Sequence, residues 1–186
     1  MFYIPILLGS VRRGRGSDRA ARFVEARLRA HAETELLDLL QCDLPIMEER
    51  LEFQESPPPR LEELGRKLAR ADALVIVSPE YNGGYPGVLK NTLDYFYPEY
   101  RRKPVGIVTV SGGGFGGVNC LAQLRQVVLA LGAYPIPAAL PISRVGQSLA
   151  EDGTPADPAY EKRAEKFFDE LLWITAALAR QRAETS

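Results

Sequence analysis

Short apolar runs alternate along the chain with longer segments in which apolar residues recur every three to four positions. Residues 73–78 and 105–110 are almost wholly apolar, whereas the runs at 2–8, 34–40 and 134–141 contain polar residues or prolines. Apolar runs of this length are typical of strands that are buried on both faces of a sheet. The pattern therefore predicts five strands.

Helices are predicted where the apolar residues follow a period near 3.6. The predicted helices span residues 17–30, 60–71, 86–96, 117–131 and 158–180, and residues 41–59 are predicted to be a loop. Strands that alternate with helices form a parallel sheet covered on both faces, so we expect an α/β fold with a doubly wound, five-stranded parallel sheet in three layers. No stretch has the composition of a linker, and residues 1–186 are predicted to be a single domain.

Three positions within these elements give sharper expectations. Proline is disfavoured inside a central strand, so at Pro5 either the sheet loses a hydrogen bond or regular pairing begins at Ile6. Asp38, near the end of the second strand, is expected to be solvated. Trp173 is expected to pack the last helix against the sheet, together with Phe167 and Leu171.

Composition excludes several classes of protein. The 186 residues are 46% hydrophobic and carry a formal net charge of −1, so no binding to nucleic acid or to an anionic membrane is expected. Cys42 and Cys120 are far apart in sequence and are expected to be reduced thiols. No apolar stretch reaches the ~20 residues that span a bilayer, and the first residues lack the features of a signal peptide, so we expect a cytoplasmic protein.

Candidate chemistry is concentrated in three segments that follow the first, third and fourth predicted strands. These segments, residues 9–17, 78–85 and 111–117, are rich in glycine and in polar residues. In doubly wound sheets, ligands bind beyond the carboxyl ends of the strands. The three segments are therefore expected to form one ligand site.

The first segment, G-S-V-R-R-G-R-G-S, resembles two nucleotide-binding motifs and satisfies neither. It begins like the G-x-x-x-x-G of a nucleoside-triphosphate loop, but Arg15 and Gly16 stand where that motif needs lysine and Ser/Thr. A dinucleotide fingerprint would need glycine at position 19, which is Arg19.

What remains is a simpler site for a single phosphate at a helix N-terminus. The backbone N–H groups and the helix dipole attract anions there. Ser10 and Ser17 add hydroxyl donors, and Arg12 and Arg15 can form charge-assisted hydrogen bonds. In the competing interpretation the arginines are solvated and Ser17 merely caps the helix.

The other two segments have the composition of a site for a flat ring. The second, S-P-E-Y-N-G-G-Y, offers backbone donors, an amide and tyrosines to the edge or face of a ring. The third, S-G-G-G-F-G-G, has five glycines in seven residues, which allows the backbone to approach a ligand closely. A tight turn and a mobile loop are the alternatives for the two segments taken singly.

Together these motifs resemble a known family. The pairing of G-S-V-R-x-G-R-x-S with S-P-E-Y-N-x-x-Y-P-G-x-L-K-N-x-L-D is similar to the NAD(P)H-dependent FMN reductase family, which has a flavodoxin-like fold. The resemblance implies tightly bound FMN, NAD(P)H as hydride donor, and a homodimer or homotetramer. It assigns FMN binding to Ser10, Arg12, Arg15, Ser17, Pro79, Glu80, Tyr81, Asn82, Gly83, Ser111, Gly112 and Gly113.

The resemblance predicts an oxidoreductase that passes hydride from NAD(P)H through FMN to a small acceptor: a flavin, a quinone, an azo compound or a metal ion. No catalytic acid or base and no bound metal are expected, since the cofactor carries the chemistry. One departure is Gly83-Gly84, which stands where bulkier or more polar residues are common in the family. The alternatives are a flavodoxin-type electron carrier with a protein redox partner, and a flavin-free interaction domain on the same scaffold.

Overall fold

The structure, a computed structural model, describes residues 1–184; the last two residues of the predicted domain lie outside the described part. Its strands are β1 (Ile6–Leu8), β2 (Leu36–Asp38), β3 (Leu74–Pro79), β4 (Pro104–Val110) and β5 (Tyr134–Ile142). Its helices are α1 (Ser17–Leu28), α2 (Leu39–Cys42), α3 (Pro59–Arg70), α4 (Gly87–Asp94), α5 (Val118–Ala130), α6 (Val145–Ser148) and α7 (Ala159–Glu184). Single 3₁₀ turns occur at Leu51–Phe53 and Pro98–Tyr100.

All five strands are parallel and lie in the order β2-β1-β3-β4-β5. This is the flavodoxin order, in which the chain reverses its direction of winding between β1 and β3. The predicted doubly wound parallel sheet and the flavodoxin-like arrangement are therefore confirmed.

Two separate hydrophobic cores lie on the two faces of the sheet. Leu8, Phe23 and Phe167 belong to the core under α1 and α7, whereas Leu7 and Leu124 belong to the core under α3, α4 and α5. Leu7 and Leu8 can serve opposite cores because successive side chains of a strand point to opposite faces.

Glycine permits a close contact between α7 and the sheet. A Cβ atom on Gly106 of β4 would lie 2.5 Å from Cζ of Phe167 on α7, which real Cβ atoms do not tolerate. The register of β4 against β5 shifts between Val105 and Ile107, at this same position. The aromatic ring therefore fixes where α7 crosses the sheet.

The predicted strands at 2–8 and 34–40 are longer than β1 and β2, and a proline and a helix cap explain the difference. Regular pairing begins at Ile6, and the carbonyl oxygen of Pro5 still accepts a hydrogen bond of 3.0 Å from the N–H of Val75. The second strand stops at Asp38 because the Asp38 carboxylate caps α2, accepting from the N–H of Leu40 at 3.0 Å. The sequence D-L-L-Q resembles a capping box, and this signal was overlooked.

The prediction for Trp173 is wrong. Phe167 and Leu171 face the sheet as expected, but Trp173 is 72% exposed. Helical residues advance by about 100° each, so a side chain two positions after Leu171 points about 200° away from it. The buried face of α7 that contains Leu171 continues one turn later with Thr175.

Candidate functional site

The three glycine-rich segments meet at one edge of the sheet, as predicted. They follow β1, β3 and β4, which are neighbours in the sheet, so their carboxyl ends are adjacent. We call them the first loop (residues 9–17), the second loop (78–85) and the third loop (111–117). The first loop leads into α1, the second into α4 and the third into α5.

Ser17 has the most unusual environment in the first loop. It is the first residue of α1 and is 1% exposed, and its hydroxyl group has no hydrogen-bond partner within residues 1–184. The N-cap residue of α1 is Gly16, and among the residues that the structure describes no side chain caps this helix. The interpretation of Ser17 as a helix cap is therefore wrong, and the N-terminus of α1 keeps free hydrogen-bond donors.

Arg15 is engaged within the protein. Its guanidinium group donates to both carboxylate oxygens of Asp38, with Nη1 2.9 Å from Oδ1, and to the carbonyl oxygen of Ser10. The two charged side chains are only 11% and 10% exposed, so the expectation that Asp38 is solvated is wrong. Because a bidentate pair of this kind is rigid, Arg15 fixes the first loop to the end of β2.

Ser10 joins the first loop to the second. Its buried hydroxyl oxygen lies 2.8 Å from the phenol oxygen of Tyr81, and the guanidinium carbon of Arg12 lies 5.8 Å from the centre of the Tyr81 ring. Arg12 itself is exposed at the mouth of the first loop. One aromatic ring thus spans two of the three predicted binding segments.

The second loop contains a two-residue hairpin turn. Tyr81 and Gly84 exchange backbone hydrogen bonds of 2.8 and 3.0 Å across it. Asn82 and Gly83, at the centre, have φ angles of +52° and +80°, the signature of a type I′ turn. The glycine at 83, noted above as a departure from the family pattern, is therefore favoured by backbone geometry.

The third loop is organised by its serine. The hydroxyl group of Ser111 donates to the carbonyl oxygen of Gly113 at 2.8 Å and accepts from the N–H of Gly116 at 3.0 Å. Gly116 and Gly117 have positive φ angles, but Gly112 and Gly113 do not, and a Cβ atom on either of these two would meet open space. Their own backbone does not require glycine, and the bare backbone leaves room for a ligand to approach.

The start of α6 supports both the first and the third loops. The N–H of Arg144 donates to the carbonyl oxygen of Gly113 at 2.8 Å, and the N–H of Val145 donates to that of Ser111 at 3.1 Å. A Cβ atom on Gly16 would lie 2.5 Å from Cγ1 of Val145. Four residues of α6 are too few for a helical period to be visible in the sequence.

The second half of the long motif has structural partners. Lys90 pairs with Asp94 on the same helix. The amide of Asn91 accepts from the N–H of Met47 at 2.8 Å and donates to the carbonyl oxygen of Pro45 at 2.7 Å. These contacts hold the segment after α2 against α4.

Three ionisable groups in the second loop and at the start of α5 have shifted pKa values. Hydrogen bonds from the N–H groups of Cys120 and Asn119 hold the pKa of Glu80 below its ordinary value, and burial raises the pKa of Tyr85. Burial also raises the pKa of the Cys120 thiol to about 11. Among residues 1–184, no group of three or more His, Cys, Asp or Glu side chains could hold a metal ion, and no helix is long and apolar enough to cross a membrane.

Comparisons with known proteins agree with this architecture. Residues 3–147 match the model of a family described as NADPH-dependent FMN reductase. The chain is 37% identical over 134 residues to a quinone reductase of Escherichia coli, which covers 70% of this chain and 71% of the relative. It is 46% identical over 82 residues to an NAD(P)H-dependent FMN reductase of Schizosaccharomyces pombe, 43% of this chain and 40% of the relative.

A solved structure shares the whole fold. The flavoenzyme FerB of Paracoccus denitrificans, described as an NAD(P)H:(acceptor) oxidoreductase, superposes with a TM-score of 0.76 over 94% of this chain and 97% of its own. The two sequences are 22% identical, so this likeness concerns the fold alone.

Proposed function

Because the chain belongs to the NADPH-dependent FMN reductase family, we propose that the three loops together hold one molecule of FMN. Membership confirms the resemblance stated on the motifs, and with it the class of enzyme: an oxidoreductase that uses FMN and NAD(P)H. Three further points are proposals: which residues bind FMN, which compound is the electron acceptor, and what the oligomeric state is.

The buried, unpartnered hydroxyl group of Ser17 carries the proposal for the phosphate. A buried polar group without a partner is costly, and here it stands beside the uncapped N–H groups of α1. A phosphate at this position would accept from Ser17 and from those N–H groups, in the field of the helix dipole. Arg12 is exposed nearby and adds a positive charge.

Arg15 and Ser10 act on the shape of this phosphate site. The hydrogen bonds of Arg15 to Asp38 and to the Ser10 carbonyl oxygen use three of the five N–H donors of its guanidinium group. In our proposal Arg15 stays there, and it serves FMN by fixing the first loop. Ser10 orients Tyr81, which brings the second loop to the same ligand.

The second and third loops fit the ring of the flavin. In our proposal Pro79, Glu80, Tyr81, Asn82 and Gly83 lie on one side of the ring, and Ser111, Gly112 and Gly113 lie on the other. The N–H groups of Gly112 and Gly113 make no hydrogen bond within residues 1–184. These donors are available to the polar edge of the ring, where they would stabilise negative charge that develops on reduction.

FMN, when bound, supplies the capacity to take up hydride from NAD(P)H and to pass electrons on. The protein's residues bind and orient the ring and leave one face open to the two substrates, which react in turn. No protein acid or base is needed. We propose a quinone or another small organic acceptor, because one curated relative is a quinone reductase.

We also propose that the chain is a cytoplasmic homodimer or homotetramer. Several large apolar side chains are exposed, among them Phe115 in the third loop and Trp173 on α7, at 84% and 72%. Exposed aromatic side chains are enriched where proteins associate. Cys42 and Cys120 are both free thiols, which fits a reducing compartment. Sedimentation at several protein concentrations would measure the assembly.

The proposed function is tested first by binding and then by turnover. Flavin fluorescence would give the affinities for FMN and for riboflavin, which lacks the phosphate. We expect FMN to bind at least ~100-fold more tightly, since a phosphate with several charged donors contributes about 3 kcal/mol or more. Anaerobic NADPH should then bleach the bound flavin, and a quinone should restore its colour without any protein partner. Equal affinities for FMN and riboflavin would contradict the proposed phosphate site.

A further inference from the structure

The third loop leads into a helix that has no local cap. The N-cap residue of α5 is Gly117, in a left-handed conformation with φ +82°, and no side chain of this residue is available to satisfy the first N–H groups. Unsatisfied donors at a helix start are normally bonded by a side chain close in sequence. In this protein the cap comes from a different loop.

Glu80 of the second loop supplies it. One carboxylate oxygen, Oε2, accepts from the N–H groups of Asn119 and Cys120 at 3.0 and 3.1 Å, and Oε1 accepts from the side-chain amide of Asn119 at 3.1 Å. These N–H groups are the second and third of the helix, the ones that a local N-cap side chain would satisfy. The N–H of Glu80 donates to the carbonyl oxygen of Val110 at the end of β4, at 3.0 Å.

The hairpin turn of the second loop is bonded to the same helix. The side-chain amide of Gln123 donates to the carbonyl oxygen of Gly83 at 2.9 Å. Gln123 lies one helical turn after Asn119 and Cys120, so these residues share one face of α5. The second loop is therefore bonded to α5 both before its turn, at Glu80, and within it, at Gly83. The third loop leads into the same helix, so α5 connects the two loops.

We propose that Glu80 is a positioning residue, whose carboxylate caps α5 and so holds the second and third loops in their flavin-binding arrangement before the cofactor arrives. The inference rests on the proposed function, which places the flavin ring between these loops. A site that is already arranged loses less conformational entropy on binding, and therefore binds more tightly. The lowered pKa of Glu80 agrees with a carboxylate that is ionised and bonded by helix N–H groups.

A thiol reports on this cap without any cofactor. Cys120 is the third residue of α5, is 0% exposed, and has its sulfur 3.4 Å from the hydroxyl oxygen of Ser78. A disulfide reagent can reach it only when the start of α5 opens, so its labelling rate measures local opening. The other thiol, Cys42, is partly exposed and is removed by Cys42→Ser in all variants.

The variants are Glu80→Ala, Glu80→Gln and a matched control, Asp157→Ala. The control removes a carboxylate that accepts from the N–H of Ala159 at the start of α7, far along the chain from the three loops. In the apo protein we expect Glu80→Ala to speed Cys120 labelling about tenfold, the usual effect of a lost cap, and Glu80→Gln to speed it less. The control should label at the parent rate. Circular dichroism confirms that each variant is folded.

Flavin affinity completes the test. Glu80→Ala should weaken FMN and riboflavin by the same factor, about tenfold, because the effect acts on the ring and leaves the phosphate site intact. Unchanged labelling in Glu80→Ala would overturn the cap, and faster labelling with unchanged affinity would overturn the positioning role. If the parent bound neither flavin, the proposed function and the positioning role would both fail, while the labelling rates would still show whether Glu80 caps α5.

Discussion

The three loops lie at one edge of the sheet, but the hydroxyl group of Ser17 in the first loop differs in its bonding from the side chains of Glu80 and Ser111 in the other two. In the first loop, Ser17 and the start of α1 keep hydrogen-bond donors that the protein does not use. In the second and third loops, the side-chain oxygens of Glu80 and Ser111 accept hydrogen bonds from backbone N–H groups of the same region. Ser17 and the start of α1 are therefore free to bond an outside group, whereas the side chains of Glu80 and Ser111 hold the shape of their loops.

This contrast suggests separate roles within one site. The first loop provides affinity for the phosphate, and the other two loops provide the geometry that the ring requires. Unused buried donors cost stability in the protein alone, and a charged ligand recovers that cost when it binds. Internally bonded loops are stable without a ligand, and in our proposal they offer backbone groups and aromatic rings to the flavin. We therefore expect changes in the first loop to discriminate FMN from riboflavin, and changes in the other loops to affect both flavins alike.

The largest expected effect comes from placing a negative charge in the first loop. Ser17→Asp puts a carboxylate at the start of α1, where it bonds the N–H groups and repels a phosphate that carries about −1.5 to −2 charge. We expect FMN affinity to fall at least ~100-fold, about 3 kcal/mol, with riboflavin affinity unchanged. Titration of both flavins by fluorescence measures this.

Ser17→Ala is the control for that variant, because it removes the hydroxyl group without adding charge. FMN affinity should fall about tenfold, the value of one hydrogen bond to a charged group. The apo protein should be no less stable than the parent, since a buried, unpartnered oxygen has been removed. If Ser17→Asp binds FMN within a few-fold of the parent, the phosphate does not lie at this helix.

The sequence predicted the fold well because strands and helices here differ in period. The runs at 73–78 and 105–110 are apolar throughout, and β3 and β4 coincide with them to within a residue. The errors fell where local chemistry overrides the apolar pattern. Asp38 ends β2 by capping α2, and Pro5 delays the pairing of β1.

The meeting of the three loops at one edge of the sheet was predicted, but their internal bonding was not. The three loops could be found because glycine and polar residues follow three apolar runs, and parallel strands bring such ends together. Pairs such as Arg15–Asp38 and Glu80–Cys120 join residues far apart in the chain, and no local pattern marks them. The type I′ turn was not predicted either, although Asn82-Gly83 is its standard sequence.

The second prediction asks whether Arg15 serves the phosphate directly or by holding the first loop. Asp38→Ala leaves the guanidinium group of Arg15 buried without its partner. Breaking a fully buried pair costs about 3–5 kcal/mol, and since these side chains are 11% and 10% exposed we expect about 2 kcal/mol. Urea unfolding measures the loss. FMN affinity should fall as well, because the first loop is no longer fixed.

The opposite result on affinity is the informative one. If Asp38→Asn, which releases the charge of Arg15 but keeps the shape of the side chain, bound FMN more tightly than the parent, Arg15 would be a phosphate ligand held back by Asp38. Riboflavin affinity should stay constant in that case, since only the phosphate contact would have changed.

The third prediction compares two adjacent glycines of the second loop. Gly83 has φ +80°, so Gly83→Ala should cost about 1 kcal/mol of stability and weaken both flavins several-fold. Gly84 does not have a positive φ angle, and a Cβ atom there would lie 3.1 Å from the side-chain oxygen of Gln123, which can move aside. Gly84→Ala should therefore change both measurements less. Equal effects at the two positions would contradict the role given to backbone conformation at Gly83, where a Cβ atom meets open space.

The smallest effect separates the loops by pH. The folded-state pKa of Glu80 is lowered, so its cap stabilises the protein fully above the ordinary pKa of a glutamate, about 4.3, and is lost only as the pH falls through the lower folded value. The difference in stability between the parent and Glu80→Gln, about 0.5 kcal/mol, should thus be constant from pH 8 to about 5.5 and should shrink at lower pH, as measured by urea unfolding.

The phosphate of FMN gains a proton near pH 6. FMN affinity should accordingly weaken at a pH where riboflavin affinity does not change, and a parallel decline of the two flavins would mean that the ring loops, and not the first loop, respond to pH.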